Sequence, residues 1–319
     1  LPAAAGGWAT ALFLPETITA ARFVRRLAPD LVHAHGTEES NLLIAQRAGL
    51  RYVFTAQGLF FVMARVVRYP WFCRDRLVGL LEHLALRRAP FGIAKSQYVY
   101  DRLRERYPRM ALSLIPNTFD PAILTIHEPA TRNGLVFVGD IIPRKGLDIL
   151  RESLVTVAHS RSDLELHIAG NSRNPGAYER KEIERLAALM GGRLHLHGIL
   201  APADLWLLTA QSIALVAPSR EEMFGNQAIE ALLLGTHAIV TDETAMAEHV
   251  RRFGNGTVVP QEDPGALAQA ILARPREDCA AREEARRAVC QHMDPVEVAR
   301  RHRALYAEIL GRNRGLERT

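Results

Sequence analysis

Short apolar segments alternate with amphipathic segments along nearly the whole chain. The apolar segments are almost continuous runs of Val, Ile, Leu and Ala, the pattern of strands that are buried on both faces of a sheet. Alternation of such strands with helices is typical of parallel sheets with crossover helices. The fold class predicted from this pattern is α/β, of the doubly wound type.

The pattern predicts ten strands: Leu31–Ala34, Tyr52–Thr55, Phe91–Ala94, Ser113–Ile115, Leu135–Gly139, Leu164–Ala169, Leu194–His197, Ile213–Ala217, His237–Thr241 and Gly256–Val259. Helices are predicted between them, among others at Glu39–Ala48, Arg76–Arg87, Tyr98–Tyr107, Gly146–His159, Tyr178–Met190, Pro202–Ala210, Gln227–Leu234 and Pro264–Ala273.

The predicted domain boundary lies in the polar stretch Ile126–Asn133, after which the strand–helix rhythm restarts. We therefore predict an N-terminal domain over residues 1–128 and a C-terminal domain over residues 129–293. A last helix, capped by Asp294 with Pro295 at its first position, occupies part of residues 294–319 and is expected to cross back to the N-terminal domain.

The composition is that of an ordinary globular protein, with 48% hydrophobic and 24% charged residues. This balance excludes an intrinsically disordered chain. The net charge of +5 arises from 40 Lys and Arg against 35 Asp and Glu. Much of the positive charge is Arg in helical runs that also carry Glu, such as Arg282–Arg287, which is typical of a solvated helix face. No nucleic-acid partner is expected.

No apolar run approaches the roughly 20 residues that a membrane-spanning helix needs. The three cysteines, Cys73, Cys279 and Cys290, are too few for a disulfide framework and favour a reducing cytoplasm. The stretch Val66–Arg76 with Arg65 is basic and aromatic, which raises peripheral contact with the inner face of a membrane as an alternative. A loop packed on its own domain is the favoured interpretation.

The strongest local motif is Pro218–Ala231, which follows a predicted strand and opens a helix. Free N–H groups at the start of that helix would suit an anion such as a diphosphate. Glu222 and Glu230, eight positions apart, could each hold a pair of hydroxyls. The alternative, weighted equally, is that these acids merely complement the helix dipole.

Two further loops follow predicted strands. Phe137–Leu147 contains Arg144 and Lys145, which could neutralise phosphate charge, although a solvated basic loop is the simpler interpretation. Ile168–Ser172 ends the next strand. Ligands of open α/β sheets bind at the carboxyl ends of the strands, where all three motifs are predicted to lie.

Taken in order, these residues resemble the nucleotide-sugar half of GT-B glycosyltransferases of the retaining family 4. The family's Glu-x7-Glu motif is matched by Glu222, Phe224, Gly225 and Glu230. Its phosphate loop is matched by Gly139, Lys145 and Gly146, with Asp140 in place of the usual Arg. Gly170-Asn171-Ser172 partly matches its Gly-x-Gly.

The N-terminal half also resembles the family in pieces. The similar segments are Asp30–Glu38, Phe54–Gly58, Ala94–Ser96 and Ile115–Asp120. About thirty residues precede His33, fewer than is usual in the family, and Gly6-Gly7 lies too near the start to be assigned as its Gly-rich loop. We therefore expect either a sequence truncated at its N-terminus or a trimmed N-terminal domain, with part of the acceptor pocket missing in both cases.

The resemblance implies the GT-B fold, two Rossmann-like domains facing across a cleft, and the retaining transfer of a sugar from a nucleoside-diphosphate sugar to a hydroxyl acceptor. That acceptor would be a polysaccharide, a lipid carrier or a small molecule, and a role in cell-envelope or polysaccharide biosynthesis would follow. It implies no cofactor and no essential metal. The alternatives are an epimerase or phosphorylase on the same fold, or a non-catalytic remnant that binds nucleotide sugars.

The resemblance also assigns site residues. The catalytic set is Glu222, Lys145 and His35. The donor-binding set is Gly139, Arg144, Lys145, Asn171, Glu222, Met223, Phe224, Gly225, Asn226 and Glu230. The acceptor-side set is Gly36, Thr37, Gln57 and Gly58.

The remaining strand histidines invite a metal-site hypothesis. His33 and His35 lie two apart on a predicted strand, as do His195 and His197, so each pair shares a face. No Cys or carboxylate cluster in the sequence completes a zinc site beside either pair. Structural packing is therefore predicted for His33, His195 and His197, and no metal site is predicted.

Overall fold

The computed structural model describes residues 14–37, 40–66, 74–171, 176–273 and 279–311. The chain divides into two compact units. The first contains Leu1–Asn117 together with Val296–Thr319, and the second contains Thr118–Pro295.

The division falls before residue 118 rather than at the predicted 128/129 boundary, because residues 118–133 pack on the second unit. Ile123, in the short 3₁₀ helix Pro121–Thr125, is buried in that unit's core. The Arg132 guanidinium donates a 3.0 Å hydrogen bond to the carbonyl of Leu234. The polar stretch is thus anchored to the second unit and does not serve as a free linker.

The first unit has a four-stranded parallel sheet with strand order β1-β2-β3-β4. The strands are β1 (Val32–His35), β2 (Tyr52–Thr55), β3 (Phe91–Ala94) and β4 (Ala111–Leu114). The helices are α1 (Leu14–Leu27), α2 (Asn41–Ala48), α3 (Phe60–Val66), α4 (Arg74–Leu86) and α5 (Gln97–Arg106).

The last described helix, Pro295–Gly311, contributes to the core of the first unit. Its Val298, Leu305 and Ile309 are buried in one cluster with Val53 of β2 and Ile93 of β3. The apolar face of this helix therefore covers the first sheet, although it follows the second unit in sequence. It is labelled α13 below.

The second unit has a six-stranded parallel sheet with strand order β10-β9-β8-β5-β6-β7. The strands are β5 (Leu135–Val138), β6 (Leu166–Ala169), β7 (Leu194–Gly198), β8 (Ala214–Ala217), β9 (His237–Thr241) and β10 (Gly256–Val259). The helices are α6 (Leu147–Ser160), α7 (Ala177–Met190), α8 (Pro202–Gln211), α9 (Asn226–Leu233), α10 (Ala245–Phe253), α11 (Pro264–Leu272) and α12 (Cys279–His292).

Two apolar clusters cover the two faces of this sheet. Val136 and Leu215 point into one cluster, while their neighbours Leu135 and Ala214 point into the other. The alternation explains why the strands read as continuous apolar runs. The strand order is that of a Rossmann fold. Strands β5, β6 and β7 follow one another towards one edge of the sheet, and β8, β9 and β10 follow one another towards the opposite edge, so the order reverses between β5 and β8.

The predicted fold class is confirmed, and each of the ten predicted strands overlaps an observed one. The largest displacement is at β4, which starts at Ala111 and pairs with Phe91 of β3. Helices α1, α3 and α10 had not been assigned from the sequence. In the described part of the chain, no helix combines the length and hydropathy needed to cross a membrane.

Candidate functional site

Two loops meet where the strand order of the second sheet reverses. One follows β5 and runs from Gly139 through the 3₁₀ helix Pro143–Lys145 to Gly146. The other follows β8 and runs from Pro218 to Gly225, where α9 begins. A reversal point of this kind leaves a crevice at the carboxyl edge of the sheet, where open α/β folds bind ligands.

The two loops are in direct backbone contact. Gly146 has φ +71°, and a Cβ at that position would lie 2.0 Å from the carbonyl oxygen of Pro218. The backbone N–H of Arg220 donates a 2.8 Å hydrogen bond to the carbonyl of Arg144. The Arg220 guanidinium also forms a bidentate pair with Asp148, at 2.9 and 2.8 Å. This pairing, which the sequence analysis missed, fixes one loop against the other.

At the contact between these loops, the ammonium of Lys145 donates a 2.5 Å hydrogen bond to Oε2 of Glu222. Both side chains are largely shielded from solvent. Gly139 makes room for this lysine, since a Cβ there would lie 3.3 Å from its Cε. Lys145 and Glu222, both assigned to the catalytic set by the family resemblance, are therefore in contact.

The electrostatic balance at Glu222 favours the charged form. Burial by itself would raise the pKa of this carboxyl, but the charges of Lys145 and Arg144 outweigh burial, and the pKa lies below its ordinary value. Gln227, at the start of α9, donates a further 3.4 Å hydrogen bond to the same carboxylate. Glu222 is therefore an anion at neutral pH.

Arg144 lies beside the same pair, but its closer partner is Glu221. Its guanidinium donates to the backbone carbonyl of Glu221 at 3.1 Å and lies 3.4 Å from the Glu221 carboxylate. The distance to the Glu222 carboxylate is 4.0 Å. Two cations and two carboxylates thus share the crevice, and the sequence analysis had assigned no role to Glu221.

Glu230 lies one turn into α9 and has a different environment. Burial raises the pKa of its carboxyl above the ordinary value, and a hydrogen bond from Trp206 of α8 counteracts this only partly. The Glu222 carboxylate is thus compensated by cations, whereas the charge on Glu230 is disfavoured by burial.

The segment between the two glutamates includes two buried side chains, a glycine and the start of α9. Met223 and Phe224 are buried, and the Phe224 ring packs edge-on against His249. Gly225 has φ +78° and leads into α9, whose first turn starts with the exposed Asn226. The N–H groups of such a first turn have no partner within the helix.

The third predicted loop adjoins the first. A Cβ on Gly170 would lie 2.2 Å from the carbonyl oxygen of Gly139, so the ends of β5 and β6 touch through glycines. Oδ1 of Asn171 is shielded from solvent and has no hydrogen-bond partner among the described residues. Ser172 lies outside those residues.

The acceptor-side residues follow β1 and β2 of the first unit, and the structure uses some of them for internal hydrogen bonds. The Thr37 hydroxyl is buried and lies 2.8 Å from the Gly58 carbonyl and 2.6 Å from the Glu82 carboxylate. Gly36 is buried as well, whereas His35 and Gln57 are exposed. Gln57 accepts a hydrogen bond from Lys95, a residue the sequence analysis had not singled out.

His33 has the packing role predicted for it. Its two ring nitrogens lie 2.6 Å from the Tyr306 hydroxyl and 2.7 Å from the Thr55 hydroxyl. Burial, with His35 and His302 nearby, lowers the pKa of His33 to about 4.

The expectation that no carboxylate lies beside His195 and His197 is wrong for His195. Nε2 of His195 lies 3.8 Å from the carboxylate of Glu165, and Nε2 of His197 lies 3.1 Å from Nδ1 of His167. These partners come from β6 and its approach, which pair with β7 in a register that the sequence does not display.

Parts of the other predictions fall outside the described residues. They are Gly6-Gly7, Glu38, and residues 67–73 of the basic aromatic stretch. Membrane contact through that stretch therefore remains a prediction.

Two family descriptions match the chain. "Glycosyl transferases group 1" matches residues 132–274, and "Glycosyltransferase Family 4" matches residues 5–123. The chain belongs to the group 1, family 4 glycosyltransferases. The recognition made from Glu222, Glu230 and the loop of Lys145 is thus confirmed.

Among curated relatives, the chain is 33% identical over 147 residues to the D-inositol 3-phosphate glycosyltransferase of Geodermatophilus obscurus, a match covering 44% of this chain and 32% of the relative. It is 31% identical over 140 residues to the phosphatidyl-myo-inositol mannosyltransferase of Mycobacterium leprae, covering 43% and 35%. The matched region spans about a third of the length of these relatives.

Solved structures show the fold. Sucrose-phosphate synthase from Thermosynechococcus elongatus superimposes with a TM-score of 0.79 at 23% identity, over 93% of this chain and 78% of that one. Anabaena HepE in complex with UDP and glucose gives 0.75 at 17% identity, over 94% and 83%. These structural neighbours are GT-B glycosyltransferases, and the present chain shares their fold.

Proposed function

We propose that this chain is a retaining glycosyltransferase that binds a nucleoside-diphosphate sugar in the crevice between the β5 and β8 loops. The observation that carries the proposal is the contact of Lys145 with Glu222 at the reversal point of the second sheet. Family membership supports it, as do the UDP and UDP-glucose complexes of HepE, whose fold this chain shares.

The roles follow from the charges in the crevice. Lys145 and Arg144 supply the positive charge that a diphosphate requires, and the first-turn N–H groups of α9 add hydrogen-bond donors. As the bond between sugar C1 and the diphosphate breaks, negative charge grows on the leaving oxygen, and Lys145 stabilises it. The incoming hydroxyl bonds to C1 on the same face, and its proton passes to the leaving phosphate.

The two glutamates then bind hydroxyl groups. Glu222, already an anion, accepts hydrogen bonds from sugar hydroxyls. Glu230 accepts hydrogen bonds from the ribose, which compensates a carboxylate that burial otherwise disfavours. His35, exposed at the end of β1, is proposed on the sugar side, and Gly36, Thr37, Gln57 and Gly58 on the acceptor side. Because Lys145, Arg144 and the helix terminus provide the charge, donor binding is proposed to need no metal.

Calorimetric titration with UDP, GDP and ADP, each with and without magnesium, tests the donor site. Glu230→Ala and Lys145→Ala are the test variants. Their matched controls are Glu184→Ala and Lys181→Ala, which make the same charge changes at exposed positions of α7. We expect one nucleotide to bind without metal, and both test variants to lose binding while both controls retain it.

Product analysis with the matching sugar nucleotide tests the reaction. A new glycoside with the anomeric configuration of the donor supports the proposal. Epimerised donor, or a sugar phosphate formed from inorganic phosphate, would identify one of the other enzyme types. Tight nucleotide binding without turnover of any donor would instead reduce the chain to a binding module.

A further inference from the structure

A second group of chemically active side chains lies in the second unit, apart from the two loops described above. It consists of Glu165, His167 and His195, on β6, its approach and the neighbouring strand β7. His167 and His195 are direct register partners of the β6–β7 pair, so their side chains project from the same face of the sheet. Their rings stack at a centroid distance of 4.7 Å.

The ligand atoms of the three residues converge. One atom from each lies within 4.8 Å of the other two. Oε2 of Glu165 is 3.6 Å from Nε2 of His167 and 3.8 Å from Nε2 of His195. In a tetrahedral zinc site, bonds of about 2.0–2.2 Å place neighbouring ligand atoms roughly 3.3–3.6 Å apart. Small side-chain adjustments would therefore bring the three atoms onto one ion.

The surroundings orient these ligands. Nδ1 of His167 lies 3.1 Å from Nε2 of His197, so an Nδ1–H donated to His197 leaves Nε2 of His167 with its lone pair towards Glu165. Metal-binding histidines are commonly held by such a bond from the other ring nitrogen. The side-chain amide of Asn133 donates a 3.2 Å hydrogen bond to Oε2 of Glu165 and positions that carboxylate.

Two further features of this region favour a bound metal ion: the environment of Nε2 of His195 and the glycine beside the ring of His167. Nε2 of His195 is shielded from solvent and has no hydrogen-bond partner within the described residues. A shielded polar nitrogen in this state costs free energy that a metal bond would recover. Gly134 has φ +64°, and a Cβ there would lie 3.1 Å from Cδ2 of His167, so its missing side chain leaves this ring in place.

We propose that Glu165, His167 and His195 bind a zinc ion, with His197 as a positioning residue for His167. Two imidazole nitrogens and one carboxylate oxygen form a donor set that zinc accepts, with water in the fourth position. The ion links β6 to β7, which is the last strand at that edge of the six-stranded sheet. None of these four residues belongs to the donor or acceptor sets proposed above.

Titration of tag-free, chelator-treated protein with zinc chloride tests the site, because a polyhistidine tag would itself bind metal. We expect one ion per chain. Glu165→Gln and His195→Asn should each weaken binding by 100-fold or more. His197→Asn should weaken it by about 10- to 100-fold, as expected when a group that orients a ligand is lost. The matched control is His159→Asn, in which the exposed imidazole at the end of α6 is removed.

Two further readouts do not depend on calorimetry. Zinc at 100 times its Kd should raise the Tm of the wild-type chain by about 5 °C or more, and this shift should vanish in the Glu165→Gln/His195→Asn double variant. Cobalt substitution should give the absorption of a tetrahedral N/O site without thiolate charge-transfer bands. Circular dichroism shows whether the variants fold.

Absence of binding by the wild-type chain would overturn the proposal. Equal binding by the folded double variant, or cobalt spectra with strong thiolate bands, would overturn it as well, since either would place the ion elsewhere. None of these three results bears on nucleotide binding, so the zinc site and the donor site fail independently.

Discussion

Polar residues follow the strands of both units, but their surroundings differ between the two units. In the second unit, cations and carboxylates from separate loops meet in a crevice, with Lys145 on Glu222 and Arg144 beside Glu221. In the first unit, the corresponding polar groups close hydrogen bonds within the unit, as Thr37 does with Glu82. A motif residue is available for a ligand when its loop is held by other contacts. In the second unit, Gly146 and Arg220 provide those contacts.

The largest effect is expected for Lys145→Ala. Its ammonium is the closest cation to Glu222, and it is proposed to stabilise charge that develops on the leaving diphosphate. We expect kcat to fall by about 10²- to 10³-fold, the range typical when one preorganised donor is removed. Steady-state kinetics with the matching sugar nucleotide measure this change, with Lys181→Ala as the control. An unchanged kcat would show that Lys145 does not stabilise the leaving diphosphate, and the proposed difference between the two units would not hold.

Replacing Gly146 and Gly49 with alanine compares two glycines that have similar positive φ angles but different surroundings. Gly146→Ala puts a Cβ 2.0 Å from the Pro218 carbonyl, whereas Gly49→Ala in the first unit, at a similar φ of +68°, meets nothing closer than 3.8 Å. We expect losses of unfolding free energy of about 3 kcal/mol or more for Gly146 and about 1 kcal/mol for Gly49. Urea unfolding followed by circular dichroism measures both. Equal losses would show that the loops are not locked together by this contact.

Glu222 and Glu230 should respond to pH in opposite ways. The folded-state pKa of Glu222 is lowered, so its stabilising contribution is present above the ordinary glutamate pKa and disappears as pH falls through the folded value. The folded-state pKa of Glu230 is raised, so the corresponding contribution is present below the ordinary value and is lost as pH rises.

Glu222→Gln should therefore destabilise the chain at pH 7, by about 1–3 kcal/mol, and much less near pH 3. Glu230→Gln should stabilise the ligand-free chain at pH 7, with little effect near pH 4. Unfolding curves recorded from pH 3 to pH 8 reveal both slopes. The same sign for both variants would contradict the assigned environments.

The smallest effect on the donor site is expected for Thr37→Val, which removes the buried hydroxyl that bonds to Gly58 and Glu82. We expect a loss of about 1–2 kcal/mol of unfolding free energy and an unchanged Kd for the nucleoside diphosphate. If the variant instead bound the nucleotide more weakly with an unchanged free energy of unfolding, Thr37 would be a ligand-binding residue. The proposed difference between the two units would then not hold.

The sequence was sufficient to predict the strands, because strands of a parallel sheet are buried on both faces and read as apolar runs. It also predicted that the loops containing Lys145 and Glu222 lie at the carboxyl ends of strands in one sheet, where open α/β folds bind ligands. The boundary near residue 118 could not be predicted, since it depends on where Ile123 and Arg132 pack.

Contacts that depend on lateral register also escaped prediction. The grouping of His167 with His195 follows from the pairing of β6 with β7, which linear spacing does not encode. The bidentate contact of Arg220 with Asp148 joins residues 72 positions apart. In both cases the sequence contains the chemically suitable residues, but their partners are decided by topology.

Helix α13 has a consequence for synthesis on the ribosome. Val298, Leu305 and Ile309 complete the core of the first unit, yet they are translated after every residue of the second. One face of the first sheet therefore stays uncovered until the second unit and then α13 have been synthesised. A stop codon shortly after residue 295 would leave the second unit complete but would remove part of the core of the first unit.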